Sequence, residues 1–140
     1  MEEIKVKHLE LTQTVINRMA SNSFLLKGWT VTLVAALFAL SASDSNIVFS
    51  ILALFPALAF WGLDAYYLRQ ERLFRKLYEE ICDSTEENPC SVKPFSLKTS
   101  NYRKEVHSWS KTLWSPTILL VHGITVVLIM IVVSIAYFIQ

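Results

Sequence analysis

Hydrophobic positions change their spacing several times along this chain, and each change marks an element. From the N-terminus, Ile4, His8, Leu11, Val15 and Met19 recur every three or four positions, with Glu3, Lys7, Glu10 and Asn17 opposite them. That period predicts an amphipathic helix over residues 1–22, lying in a membrane interface or packed against a neighbouring helix. Ser21-Asn22-Ser23 offers a cap or hinge at its end.

The period then gives way to solid apolar sequence. A bilayer core about 30 Å thick needs about 20 apolar helical residues, and three stretches approach that length. Residues 24–43 carry one charge, Lys27, near their start beside Trp29. Residues 47–63 contain Pro56, which predicts a kink that a membrane helix tolerates, and are closed by Asp64. Residues 116–138 open on Pro116, suited to a first helical turn, and hold no Lys, Arg, Asp or Glu.

The second stretch does not stop where its apolar character does. Phe60, Leu63, Tyr67, Gln70, Phe74, Leu77 and Ile81 keep an unbroken three-and-four spacing, so one helix is expected to run on to Cys82-Asp83-Ser84. Glu71 with Arg75, Arg75 with Glu79 and Lys76 with Glu80 support its flanks as i,i+4 pairs. Its aromatic-rich seam of Tyr67, Phe74, Leu77 and Ile81 cannot be buried by a lone helix and requires a cover. Pro89, Pro94 and the acidic pair Glu86-Glu87 make residues 83–100 a loop. A second helix is expected over Asn101–Leu113, with Tyr102, Val106, Trp109 and Leu113 on one face covering part of the seam. The chain therefore reads as all-α, with three transmembrane helices and a cytoplasmic helical layer from residues 1–22 and 64–114.

Composition agrees with this pattern. Of 140 residues, 53% are hydrophobic and 18% charged, and the net charge of +1 provides no field for nucleic acid. All thirteen Lys and Arg lie either up to Lys27 or between the second and third stretches. The turn over residues 41–46 and the end of the chain have none, which predicts a cytoplasmic N-terminus and an external C-terminus. The polar-patterned residues ahead of the first apolar run argue against a cleavable signal peptide.

Candidate chemistry is sparse. His8, His107 and His122 stand in no metal spacing, and Cys82 and Cys90, expected in a reducing compartment, read as free thiols. Arg103 and His107 fall one residue short of the Arg-x4-6-His pattern of HEPN nucleases. There is no Gly-rich phosphate loop and no Gly-x-Ser-x-Gly elbow, so no catalytic, cofactor or metal residue is assigned. The functional candidates are instead the polar groups at membrane depth, Lys27, Asp64 and His122. Lys27 and Asp64 either pair to fix the hairpin or reach separately to the headgroups. His122 either bonds a neighbour or lines a wet lumen. Gly28, Thr32, Ala35, Ala39 and Ser43 share a face of the first span, as Ala53 and Ala57 do on the second, allowing close approach within the hairpin or between subunits.

The segments Asn22-Ser23-Phe24-Leu25-Leu26-Lys27-Gly28-Trp29 and Trp61-Gly62-Leu63-Asp64-Ala65-Tyr66-Tyr67-Leu68-Arg69 resemble a group of small bacterial inner-membrane proteins of similar length. The layout of that group is similar to the two-span membrane effectors of antiphage defence systems. Here a third span is added and no nucleotide-sensing domain is recognisable. The resemblance implies a homo-oligomeric pore or channel effector whose partners are the lipid bilayer and further copies of the chain. The alternative is a non-conducting anchor that binds a cytoplasmic protein through Tyr67, Phe74, Leu77 and Ile81.

Overall fold

The computed structural model describes residues 2–44, 46–85 and 87–139. Ser45 of the expected turn, Glu86 of the acidic pair, and the terminal Met1 and Gln140 lie outside the described residues. All regular structure among the described residues is helical, and three of the helices are long and apolar enough to cross a membrane.

The first helix, α1 (Glu2–Asp44), is continuous, where the sequence suggested an amphipathic helix, a hinge and a separate span. Ser21-Asn22-Ser23 sits inside it without a break. Serine and asparagine disfavour helix interiors because their side chains compete for local backbone groups. Ser23 instead sends its hydroxyl across to Asp64 on another helix, which removes that competition. At 1.5 Å per residue, α1 is about 65 Å long, twice what a bilayer core requires. Glu2 and Glu3 in its first turn complement the helix dipole.

The chain turns at Asn46, whose side chain caps α2 (Ile47–Leu52) by accepting from the Val48 amide at 3.0 Å. A break at Ala53 separates α2 from α3 (Leu54–Asp83). Pro56 explains it: proline has no N–H for the Leu52 carbonyl, and its ring crowds that same carbonyl. The interruption is confined to Ala53, whose backbone stays in the right-handed helical region, and beyond it α3 runs unbroken to Asp83.

α1 forms one long antiparallel hairpin with α2 and α3. Its register is recorded by Ser41 with Ser50 near the turn, Lys27 with Asp64 midway, and Lys5 with the carbonyls of Cys82 and Ser84 at the far end. The last contact places an ammonium on the exposed carbonyls that end α3.

Beyond Asp83 the chain turns back over the open end of the hairpin. Leu73, Leu77 and Ile81 of α3 are buried with Val92 and Tyr102 of the returning segment, and Leu9, Phe74, Leu97 and Val106 pack around them. The seam is thus covered from within the chain. The expected helix over residues 101–113 is two pieces: a 310 turn at Ser100–Lys104 and the short α4 (Trp109–Leu113). Its supposed single face is divided between two sites. Tyr102 and Val106 enter the core around Leu77, while Trp109 donates its indole N–H to the Gly62 carbonyl at 3.0 Å. A straight helix cannot satisfy both, so the chain bends between them.

The third apolar stretch begins at Pro116 with α5 (Pro116–Ile118), opens into a π turn at Leu119–Gly123, and continues as α6 (Ile124–Ile139). α6 packs on the hairpin through Ile129, which is buried with Val34, Ala53 and Ala57. The small residues of the second span are used here, letting three helices converge.

Candidate functional site

Within this apolar half, one cluster of polar side chains gathers around a buried carboxylate, with Ser23 and His122 buried beside it and Lys27 partly exposed. Asp64 of α3 is fully buried and receives groups from both neighbouring helices. One carboxylate oxygen, Oδ1, accepts the Ser23 hydroxyl and a 2.9 Å hydrogen bond from Lys27 Nζ. The other, Oδ2, lies 2.6 Å from the same ammonium and 3.0 Å from His122 Nε2. Lys27 completes the ring by donating to Ser23 Oγ at 2.7 Å.

The local reasons are separate for each member. Ser23 and Lys27 are four residues apart on α1 and so share a face. Asp64 lies where the apolar part of α3 ends. His122 lies within the π turn, whose wider i→i+5 geometry inserts one residue and changes which side chains face inward. Trp61, one turn before Asp64, stacks nearly parallel to the His122 ring at 6.5 Å and 9°. Trp61 is itself held by donating its indole N–H to the Leu113 carbonyl at 3.0 Å.

The electrostatics are settled by pairing. The Asp64 carboxylate and the Lys27 ammonium offset one another, and each is hydrogen-bonded further, the condition under which a buried ion pair is tolerated. Because a carboxylate only accepts, His122 Nε2 must carry the donated proton. His122 Nδ1 is buried with no partner, among the described residues. The constellation of serine, histidine and aspartate is not wired as a nucleophilic triad. Such a triad places the base between serine and carboxylate, whereas here Ser23 and His122 both bond Asp64. The arrangement is a staple: one carboxylate ties together α1, α3 and the π turn.

The three polar residues singled out in the sequence thus meet at one point. Lys27 and Asp64 pair rather than reaching separately for headgroups, and His122 bonds Asp64 rather than facing a lumen within the chain. Two further members, Ser23 and Trp61, had no signal of their own beyond their spacing of four from Lys27 and three from Asp64.

The small-residue positions divide differently. On α1, Gly28, Thr32, Ala35 and Ala39 are all exposed, and a Cβ added at Gly28 would meet nothing within 4 Å. α1 packs inward through Ser23, Thr30 and Val34 instead. Of the seam residues, Leu77 and Ile81 are buried, and Tyr67 and Phe74 are half-buried.

A second polar site lies at the wrapped end of the hairpin. There Glu80 accepts from the Ser91 amide at 2.7 Å and the Tyr102 hydroxyl at 2.5 Å. Hydrogen bonds from Ser91, then from Tyr102, hold the Glu80 carboxyl at about 2, well below its ordinary value. Burial, followed by the hydrogen bond to Glu80, pushes Tyr102 up. Cys90, half-buried and also raised by burial, sits beside this carboxylate, and Cys82 is exposed; both are free thiols. A cavity of about 440 Å³ opens here, lined in part by Glu79, Asp83 and Glu105. Arg103 and His107 are both exposed. His8, at the same end, bonds the Ser96 carbonyl at 3.0 Å. No protein-family model, no curated protein and no solved structure matches this chain.

Proposed function

We propose that this chain is a multi-pass protein of a bacterial inner membrane that self-associates through α1 and acts as a pore- or channel-type effector. The carrying observation is the exposed face of Gly28, Thr32, Ala35 and Ala39. In hydrocarbon, where lipid tails are as apolar as leucine, helices associate by close packing, and small residues permit it. This face lies in the apolar half of α1 and is not consumed by the hairpin. The N-terminus and the wrapped end face the cytoplasm, where the Lys and Arg residues gather, and the C-terminus lies outside.

Three spans enclose no pathway by themselves, so conduction belongs to the oligomer. Lys27, Asp64 and His122 do not line that pathway in this state, since they satisfy one another. The layout resembles that of two-span antiphage membrane effectors, which supports the effector class. The competing anchor reading has less surface to use, because Leu77 and Ile81 are buried with Val92 and Tyr102, leaving Tyr67 and Phe74 half-buried.

The test is the mass of the purified protein in nanodiscs, followed by ion flux from liposomes. Gly28→Leu is the informative variant: its added bulk meets nothing within the protomer and obstructs a neighbouring helix. A discrete oligomer that conducts, with both properties lost in Gly28→Leu, is the expected result. A monomer without flux overturns the proposal, and an oligomer unaffected by Gly28→Leu removes α1 from the interface.

A further inference from the structure

We infer that the basic surface patch where the segment from His107 to Ser115 lies against α3 binds the anionic phosphate headgroup of a membrane lipid. The inference rests on membrane insertion as proposed above, and is independent of whether the protein conducts.

Four hydrogen bonds hold this segment against α3 along one stretch. Trp109 donates to the Gly62 carbonyl, Trp61 donates to the Leu113 carbonyl, Arg69 Nε donates to the His107 carbonyl at 3.1 Å, and Arg72 Nη2 donates to Ser115 Oγ at 3.0 Å. The level of this patch follows from α3. Asp64 marks the end of its apolar run, so Arg69 and Arg72 stand about 8 and 12 Å farther along the axis. The headgroup layer adds roughly 5–8 Å on each side of the hydrocarbon, so Arg69 stands at its outer edge and Arg72 about 4 Å beyond, within reach of its long side chain.

The charges here are unbalanced. Each guanidinium spends an N–H on a neutral oxygen, leaving most of its five donors for another acceptor. Among the described residues no carboxylate pairs with Arg69, Arg72 or Lys111, and Lys111 is exposed. The sequence from Val106 to the end contains no Asp or Glu, nor does residues 11–43 of α1. The one acid at this level that faces the patch from within, Asp64, is buried and already paired. Glu71, on the same helix, is paired with Arg75. Trp109 and Trp114, 46% and 66% exposed, supply the amphipathic rings that favour the interface beside such a site. Two forked guanidiniums, an ammonium and flanking indoles suit a phosphodiester attached to acyl chains: the cations bind the head while the tails run down the apolar face of α3.

Native mass spectrometry of the detergent-extracted protein, titrated with phosphatidylglycerol or phosphatidylcholine, tests this directly. Wild type is expected to retain phosphatidylglycerol at least tenfold more strongly than phosphatidylcholine, given attraction from several cations at one surface. Arg69→Gln with Arg72→Gln and Lys111→Gln is expected to abolish that preference. A charge-matched variant at the wrapped end, Lys93→Gln with Lys98→Gln and Lys104→Gln, is expected to keep it. Equal retention of the two lipids by wild type, or equal loss in both triple variants, overturns the inference. Competition by soluble glycerol phosphate as effective as by the lipid would assign the site to a free phosphate compound and overturn it as a lipid site. Circular dichroism and monomer mass of each variant separate loss of lipid from loss of fold or of assembly.

Discussion

Two carboxylates of α3, Asp64 and Glu80, are each bonded from distant parts of the chain, and the contrast between them separates the two halves of the molecule. Both collect three hydrogen-bonded groups and both tie distant parts of the chain to one helix. Asp64 is fully buried among three apolar helices and has a cationic partner, Lys27. Glu80 is half-buried near water and is held by neutral donors from Ser91, Tyr102 and Cys90. In the apolar half a charge needs a countercharge to be present at all, because nothing else replaces its hydration. At the wrapped end, water remains a partner of last resort, and neutral hydrogen bonds suffice.

The comparison breaks most sharply at Asp64. Asp64→Ala leaves the Lys27 ammonium without its partner, and is expected to destabilise the protein by about 3–5 kcal/mol. Thermal unfolding in detergent, read by circular dichroism, measures this. Replacing the pair together, Lys27→Met with Asp64→Leu, is expected to recover most of the loss, since the buried charge is then gone from both sides. A double variant as unstable as Asp64→Ala would show that the cluster's geometry, rather than its charge balance, holds the helices.

His122→Leu tests the third arm of the staple. It gives up one hydrogen bond to a charged group, worth about 1.5–3 kcal/mol, but also removes the partnerless Nδ1. The expected loss is therefore smaller than at Asp64. Hydrogen exchange should localise it to residues 116–130, with the hairpin unchanged.

Tyr102→Phe at the wrapped end removes one donor from the Glu80 carboxylate and is expected to cost about 1.5 kcal/mol, the low end for a bond to a charged group because Glu80 is partly exposed. Limited proteolysis of residues 84–106 is the suitable readout, because that segment is what Tyr102 ties down.

The smallest effect is in pH. Glu80 has a carboxyl value of about 2 in the folded chain against 4.5 as the ordinary value. A depressed carboxyl value favours the folded form wherever the unfolded chain is ionised. Its contribution is therefore complete above about pH 4.5 and disappears as pH falls towards 2. Protection of residues 84–106 is expected to decline through that window, and Glu80→Gln is expected to flatten the decline. The partial exposure of Glu80 keeps the change modest.

Much of this architecture is visible in the order of residues. Hydropathy marks all three long apolar helices, the three-and-four spacing carries α3 through to Asp83, and Pro56 announces the break at Ala53. Lys27, Asp64 and His122 each stand out as a polar group in apolar surroundings. A Lys27–Asp64 pair is one of the two alternatives the sequence leaves open, but the arrival of His122 at the same carboxylate is not legible. Residues 27, 64 and 122 are remote in the chain, and each helical residue turns its side chain by about 100°, so a single inserted residue changes the neighbour. The π turn at Leu119–Gly123 is such an insertion and leaves no hydropathy signature. The expected helix over residues 101–113 failed for a related reason. Its periodicity was genuine, but Tyr102 and Trp109 found partners at Glu80 and Gly62, which are eighteen residues apart on α3.

What the sequence by itself determined are properties local to a segment: which stretches are apolar enough to require helical backbone, where proline interrupts them, and where cations accumulate. These follow from hydrogen-bond satisfaction and transfer energy, which depend on the residues in a window and not on what lies across from them. The tertiary structure alone decided that Val92 and Leu97 of the loop join Tyr102 and Val106 over Leu77 and Ile81, that Gly28 and its neighbours are left open, and that one carboxylate holds three helices. Those outcomes depend on helix register and on turns between elements, and a closed ion pair forms only when all its members arrive together.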